Sequence, residues 1–424
     1  GLQFAAFTAL ASRMYYLQVV EAERYSVMAE DNRVNFQLLA PPRGFIVDRN
    51  GDYLAINIQN YRLVLVPEQA NNVSSVADVL GRLARVIDLE DHDIRRVLRE
   101  ADRRRAFVRI TVSENLSWEE VSRIGVNTPD LPGVNIDVGQ SRHYPYRDNM
   151  AHILGYVSAV SEKDQGDDPL LELPGFKIGK SGIERQYDLA LRGRGGTSRV
   201  EVNALGRVIR ELDRNEGQRG QEVMLTLDMR LQDYIGTRLK GEKAAAVTVM
   251  DAHNGDVLAL VSTPSFDPNA FSEGLNSKQW QALVNNPYSP LTNKAIAGQY
   301  APGSTFKIVV ALAALEAGMS ADHNVFCPGH MELGDRRFHC WKRHGHGWMS
   351  LTSAMRESCD VWFYDVARRI GVDRIAAMAN RLGLGAPTGL DLRGEGRGLI
   401  PTKQWKRDKK GQPWHQGETL VVGI

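Results

Sequence analysis

At 424 residues, with 52 Lys and Arg against 51 Asp and Glu and a formal net charge of +1, the chain is too long for one ordinary domain and points to two or three. So even a balance supplies no field that would favour nucleic acid, and no nucleic-acid partner is expected. Its three cysteines are an odd number, which would leave one thiol over from any disulfide pairing.

In chain order, Gly1 to Ser12 is largely apolar but shorter than the about 20 residues needed to cross a bilayer. Arg13 and the run Met14 to Val19 follow, the basic and aromatic border found where a helix leaves a membrane. Residues 1–17 are therefore expected to be the end of an N-terminal anchor, with a buried helix of a soluble domain as the plainer alternative. Tyr25 to Leu39 reads as a polar helix leading into an extended segment, interrupted by Pro41 and Pro42. Gly44 to Asp48, Asn50-Gly51 and Tyr53 to Ile56 predict a hairpin, because Asn-Gly readily takes the positive φ angles of a type I′ turn. Tyr61 to Pro67 alternates as a further strand, and Ser74 to Arg99 carries helical spacing at Val76, Val79, Leu80, Leu83, Val86 and Ile87.

From Val108 to Gly220 short strands and helices alternate, so residues 18–220 are expected to form a mixed α/β domain with no obvious chemistry. Polar and glycine residues from Asn215 to Gln221 mark a boundary, and a second domain is expected over 221–424. It begins with a helix from Met229 to Leu239 and two strands, Ala245 to Met250 and Val257 to Val261, around Asn254-Gly255. Their apolar runs suit a sheet covered by helices on both sides.

Gly303-Ser304-Thr305-Phe306-Lys307 then precedes an alanine-rich apolar run. Three residues apart, Ser304 and Lys307 would share one helix face, an amine beside a hydroxyl. An amine kept partly neutral by burial can take the proton from such a serine. On most helices, however, the same pair is a cap and a solvated charge. A second cluster, Glu357-Ser358-Cys359-Asp360, stands before another helical run; alone, its serine or aspartate would be an N-cap.

Together the two clusters resemble the active-site signature of penicillin-binding proteins and serine β-lactamases, in which Ser-x-x-Lys, Ser-x-Asn or Ser-x-Asp, and Lys-Thr-Gly converge on one cleft. Pro41 to Gly51, Gly182 to Asp188, Thr263 to Asn269 and Tyr300 to Ser304 are similar to the class B, monofunctional members, and among these to the elongation transpeptidases of rod-shaped Gram-negative bacteria. The resemblance implies an α+β multidomain chain: a noncatalytic pedestal that docks other cell-wall proteins, then a transpeptidase domain with an antiparallel sheet flanked by helices. No Lys-Thr-Gly or Lys-Ser-Gly follows Asp360 before Ile424, and the transpeptidase domain is expected to be truncated at its C-terminal end.

The function so implied is D,D-transpeptidation of peptidoglycan stem peptides ending in D-alanyl-D-alanine. Ser304 would be the nucleophile, Lys307 the general base, Ser358 a proton relay and Asp360 an orienting group, and β-lactams would acylate Ser304. The resemblance also implies a RodA-type glycan polymerase and MreC as partners, with a single-pass anchor in the bacterial inner membrane and a periplasmic body. A D,D-carboxypeptidase, or a noncatalytic β-lactam sensor or scaffold, are the alternatives.

Cys327, Cys340 and Cys359 share one window with His330, His339, His344 and His346. Thiolates with an imidazole suit zinc, but spacing alone leaves open one disulfide plus a free thiol, or unrelated buried cysteines. Some members of the resembled family hold a zinc ion near the active site. Carried onto this chain, that implies Cys327, Cys340, His346 and Cys359 as a closed structural Zn2+ site.

Overall fold

The computed structural model describes residues 2–16, 21, 34–71, 74–164, 166–173, 175–203 and 208–424. The helix expected from Tyr25 falls outside the described residues except at its end, where 34–39 are extended as expected. The chain divides into two compact units, Gly1–Ala295 and Ile296–Ile424.

The first unit opens with helix α1 (Leu2–Tyr15). No described helix is long and apolar enough to cross a membrane. Strand β1 (Val34–Leu39) pairs antiparallel with β8 (Gly196–Val202), which pairs with β9 (Val208–Asn215). The expected hairpin forms between β2 (Ile46–Val47) and β3 (Tyr53–Leu65), but its turn is not type I′. Gly51 alone takes a positive φ, +88°. The reason is Asp48, whose carboxylate accepts from the Asn50 and Asp52 N–H groups at 2.7 and 2.9 Å and so holds Asn50 in an ordinary turn conformation.

The two strands expected at Tyr53 and Tyr61 run on as one, because β5 (Val134–His143) pairs with β3 without interruption from Ile56 to Leu65. The helix expected over Ser74 to Arg99 is instead two, α2 (Val76–Leu83) and α3 (Asp91–Arg103). Leu83 and Ile87, both buried, turn the intervening chain into a core shared with β3 and with β4 (Ile110–Ser113).

Past α4 (Trp118–Asn127) and the antiparallel pair β6 (Val157–Ala159) and β7 (Lys177–Gly179), Glu184 on the short helix α5 (Gly182–Gln186) is fully buried and joins distant segments. It accepts from Arg43 Nε and Arg142 Nε, both at 2.6 Å. Burial alone would raise its carboxyl, but the two guanidiniums hold it below its ordinary value. Further on, β10 (Val223–Met224) adds parallel to β2, and Asp48 also accepts from the N–H of Met229 at 3.1 Å. That residue opens helix α6 (Met229–Arg238). These links draw the segment after 221 into the first unit. Strands β11 (Ala245–Met250) and β12 (Val257–Thr263) form the expected antiparallel pair, with Ile235 of α6 packed on Ala259 and Val261. β11 alternates half-buried with exposed residues, the pattern of a strand covered on one face rather than on both.

The second unit is built on helix α7 (Lys307–Glu316) and helix α9 (Asp360–Ile370). Val310 and Ala314 of the former and Trp362, Phe363 and Val366 of the latter are buried in one core. Strands β13 (Val325–Cys327) and β16 (Gly347–Met349) form one hairpin and β14 (His330–Leu333) and β15 (Arg336–His339) another, and helix α8 (Leu351–Glu357) leads into α9. The chain between β13 and β16 closes on itself at Gly345, where a Cβ would stand 2.0 Å from the Cys327 carbonyl oxygen. Only glycine fits there.

Candidate active site

Ser304 sits in a 3-10 turn, Gly303–Phe306, entered through a positive φ of 57° at Gly303, and Lys307 opens α7 directly after it. The turn leaves Ser304 exposed while Lys307 is 1 % exposed. From the other side, α8 ends at Ser358 in the left-handed region (φ 51°, ψ 44°) and α9 starts two residues later. A left-handed non-glycine residue is strained by roughly 1–3 kcal/mol. Here the strain aims both oxygens of Ser358 at the buried lysine.

Lys307 Nζ donates to Ser358 Oγ at 3.0 Å, to the Ser358 carbonyl oxygen at 2.9 Å and to Asp360 Oδ1 at 2.6 Å. Ser358 Oγ in turn donates to Ser304 Oγ at 2.9 Å. All four residues singled out from the sequence thus meet in one chain of hydrogen bonds. Its order differs from a plain serine–lysine pair, because Ser358 stands between the two. The ammonium also lies 5.3 Å from the centroid of the Phe363 ring, close enough for a cation–π contribution.

Trp341 escaped the sequence reading. Its N–H donates to Asp360 Oδ2 at 2.9 Å and its indole Nε1 to the Glu357 carbonyl at 3.1 Å, so both carboxylate oxygens of Asp360 are engaged. The only sequence hint was its position directly after Cys340.

Beside this chain, the Sγ atoms of Cys327, Cys340 and Cys359 and a ring nitrogen of His346 lie within 4.8 Å of one another. His346 Nδ1 is 3.6 Å from Cys327 Sγ and 3.5 Å from Cys340 Sγ. A nitrogen at about 2.0–2.1 Å and a sulfur at about 2.3 Å from one tetrahedral zinc stand roughly 3.5–3.6 Å apart, so the donor set fits that ion. No disulfide joins the thiols. Burial, with the neighbouring Cys327 and Cys340 thiols adding to it, pushes the Cys359 thiol up to about 12. His346 Nε2 is buried without a partner. His344 is not in the cluster.

With this geometry the two domains find their relatives. The penicillin-binding protein dimerisation domain matches residues 38–225 and the penicillin-binding protein transpeptidase domain residues 245–424. The chain belongs to the class B penicillin-binding proteins. Its relatives include the peptidoglycan D,D-transpeptidase MrdA of Escherichia coli K12, 42% identical over 423 residues, which are 98% of this chain and 66% of that protein. MrdA of Salmonella typhimurium LT2 is 37% identical over 438 residues, covering 100% and 69%. A solved complex of penicillin-binding protein 2 with MreC from Helicobacter pylori superposes with a TM-score of 0.79 at 28% identity, over 92% of this chain and 73% of that one. The chain spans 66% of the length of the E. coli relative.

Proposed function

We propose that the chain carries the acylating centre of a peptidoglycan D,D-transpeptidase of the elongation type. The observation that carries this reading is the unbroken hydrogen-bond chain from Ser304 Oγ through Ser358 Oγ and Lys307 Nζ to Asp360 Oδ1.

In the proposed reaction Ser304 Oγ attacks the carbonyl carbon of the penultimate D-alanine. Its proton passes to Ser358 Oγ while the Ser358 proton passes to the amine of Lys307, which enters the step after releasing one of its own protons. The same relay run backwards delivers a proton to the nitrogen of the terminal D-alanine as that residue leaves. The amine of a neighbouring stem peptide then attacks the acyl-enzyme, gives up a proton through the relay and regenerates Ser304. Asp360 holds the lysine in place between these steps, and Trp341 holds Asp360.

Cys327, Cys340, His346 and Cys359 would hold zinc, whose contribution when bound is structural, since four protein ligands leave no open position. The proposal extends to an inner-membrane location with a periplasmic body and to an MreC-type partner and a RodA-type glycan polymerase. The MreC complex of the H. pylori relative supports the first of these partners. Intact-mass spectrometry after treatment with benzylpenicillin tests the centre: the expected adduct maps to Ser304 and disappears in Ser304→Ala. An unmodified Ser304 sinks the reading.

A further inference from the structure

In the first unit a cleft of about 910 Å³ runs between β5, the end of β1 with the Pro41-Pro42 turn, and residues Leu173 and Gly175 to Lys177. Seven Arg and Lys side chains line it against three carboxylates. Some of that charge is already taken up. Arg62 pairs with Asp137 and Lys177 with Glu114, while Glu184, Asp188 and Asp168 hold Arg43, Arg142 and Arg192 from behind the wall.

What remains is specific. Among the described residues, seven buried side-chain polar atoms lack a partner, and three of them are guanidinium nitrogens: Arg62 Nε, Arg142 Nη2 and Arg192 Nε. All three residues line this one cleft, and Arg142 and Arg192 are only 6 and 8 % exposed. Buried donors of this kind ordinarily have acceptors. Arg109, exposed at the cleft, has no hydrogen-bonding or ionic partner among the described residues.

The wall itself has the shape of a template. Among the described residues β5 is paired only with β3, so its second edge presents free N–H and C=O groups, and residues 137–142 run along the cleft. At Gly139 the strand surface is bare, and the Arg62 guanidinium lies over it so closely that a Cβ would stand 3.1 Å from Nη2.

We propose that this cleft docks an acidic peptide segment in extended conformation, added as a strand along β5 with its carboxylates on the unsatisfied arginines. The six wall residues correspond to roughly 20 Å of strand. Main-chain pairing would supply register, and the carboxylate–guanidinium contacts would supply specificity.

Calorimetric titration of the full chain with an N-acetylated, C-amidated hexapeptide of alternating Thr and Glu tests this. Saturable one-to-one binding is expected, weakening as salt rises. Arg109→Glu and Arg62→Gln are each expected to weaken it at least about tenfold at an unchanged melting temperature. The proposal is overturned by absence of saturable heat, by variants that bind like the parent chain, or by equal binding of a peptide whose alternate amide nitrogens are methylated. The last result would mean a mere anion sink. Penicillin acylation of Ser304 in the same samples reports separately on the catalytic reading and is expected to stay unchanged.

Discussion

Asp360 Oδ1 lies 2.6 Å from Lys307 Nζ, and the lysine is buried to 1 % exposure. Its carboxylate is the only charged group among the three acceptors that the amine reaches. Asp360→Ala would leave a cation stranded in the interior and free the Trp341 N–H, and removing one partner of a buried pair costs about 3–5 kcal/mol. Denaturant unfolding is expected to show a loss near the lower figure, because the Ser358 oxygens remain. The rate of Ser304 acylation should fall at least about 100-fold. An Asp360→Ala protein that acylates at the parent rate would remove Asp360 from the site.

Ser358→Ala separates chemistry from stability. Lys307 keeps the Ser358 carbonyl and Asp360, so the fold should change by no more than about 1 kcal/mol. The link between amine and nucleophile is cut, however, and a lost proton relay is expected to slow acylation by about 100- to 10,000-fold. Stopped-flow acylation with a chromogenic cephalosporin reads this directly. Unimpaired acylation would show that Lys307 reaches Ser304 without the intermediary.

The cysteine cluster makes an independent prediction. Purified protein should carry close to one zinc per chain by elemental analysis, and a strong chelator should lower the melting temperature of the second unit. Cys359→Ser should release the metal more readily. Because Cys340 is directly followed by Trp341, whose N–H holds Asp360, chelation should also slow acylation. Protein without zinc, or a melting temperature indifferent to chelator, would count against the site.

How much of this the sequence disclosed follows from how local each signal is. Ser304 with Lys307, and Ser358 with Asp360, lie within three residues of each other, so each pair could be singled out by spacing, and resemblance then joined them. Cys327, Cys340, His346 and Cys359 were visible as residue types crowded into one window, although spacing could not choose between metal and disulfide. Trp341 was not legible, because half of its role is played by a main-chain N–H that any residue possesses. Nor could Asn50-Gly51 reveal that the Asp48 side chain would choose the turn type. The break between Leu83 and Asp91 was hidden by apolar residues that keep helical spacing while the chain turns inward.

Glu184 shows the same limit at long range, since it gathers arginines 141 and 42 positions away. Glu184→Gln would leave Arg43 and Arg142 facing a neutral amide in a fully buried site, a change of about 3–5 kcal/mol. Thermal unfolding should drop by roughly 10 °C. Its depressed carboxyl also means that the stabilisation is present above the ordinary carboxylate range and is lost only as pH falls below it. A Glu184→Gln protein as stable as its parent would deny the cluster any structural role.

His152 gives a pH signature of the same sign in a higher window. Burial lowers its imidazole to about 4, outweighing a hydrogen bond to the Pro264 backbone; its Nε2 is buried without a partner, and the ring stands perpendicular to that of Phe266 with centroids 5.4 Å apart. The folded chain therefore holds the neutral ring, while the unfolded chain protonates near the ordinary value of about 6.5. With more protons bound in the unfolded state between those two values, stability rises with pH across that window. Acidification from pH 7 to pH 4 should thus cost up to about 3 kcal/mol from this residue alone, with little further loss from it below. His152→Gln, which cannot titrate, should flatten the melting temperature between pH 6.5 and 4 relative to the parent chain. Parallel pH profiles for the two proteins would show that His152 titrates alike in the folded and unfolded chain.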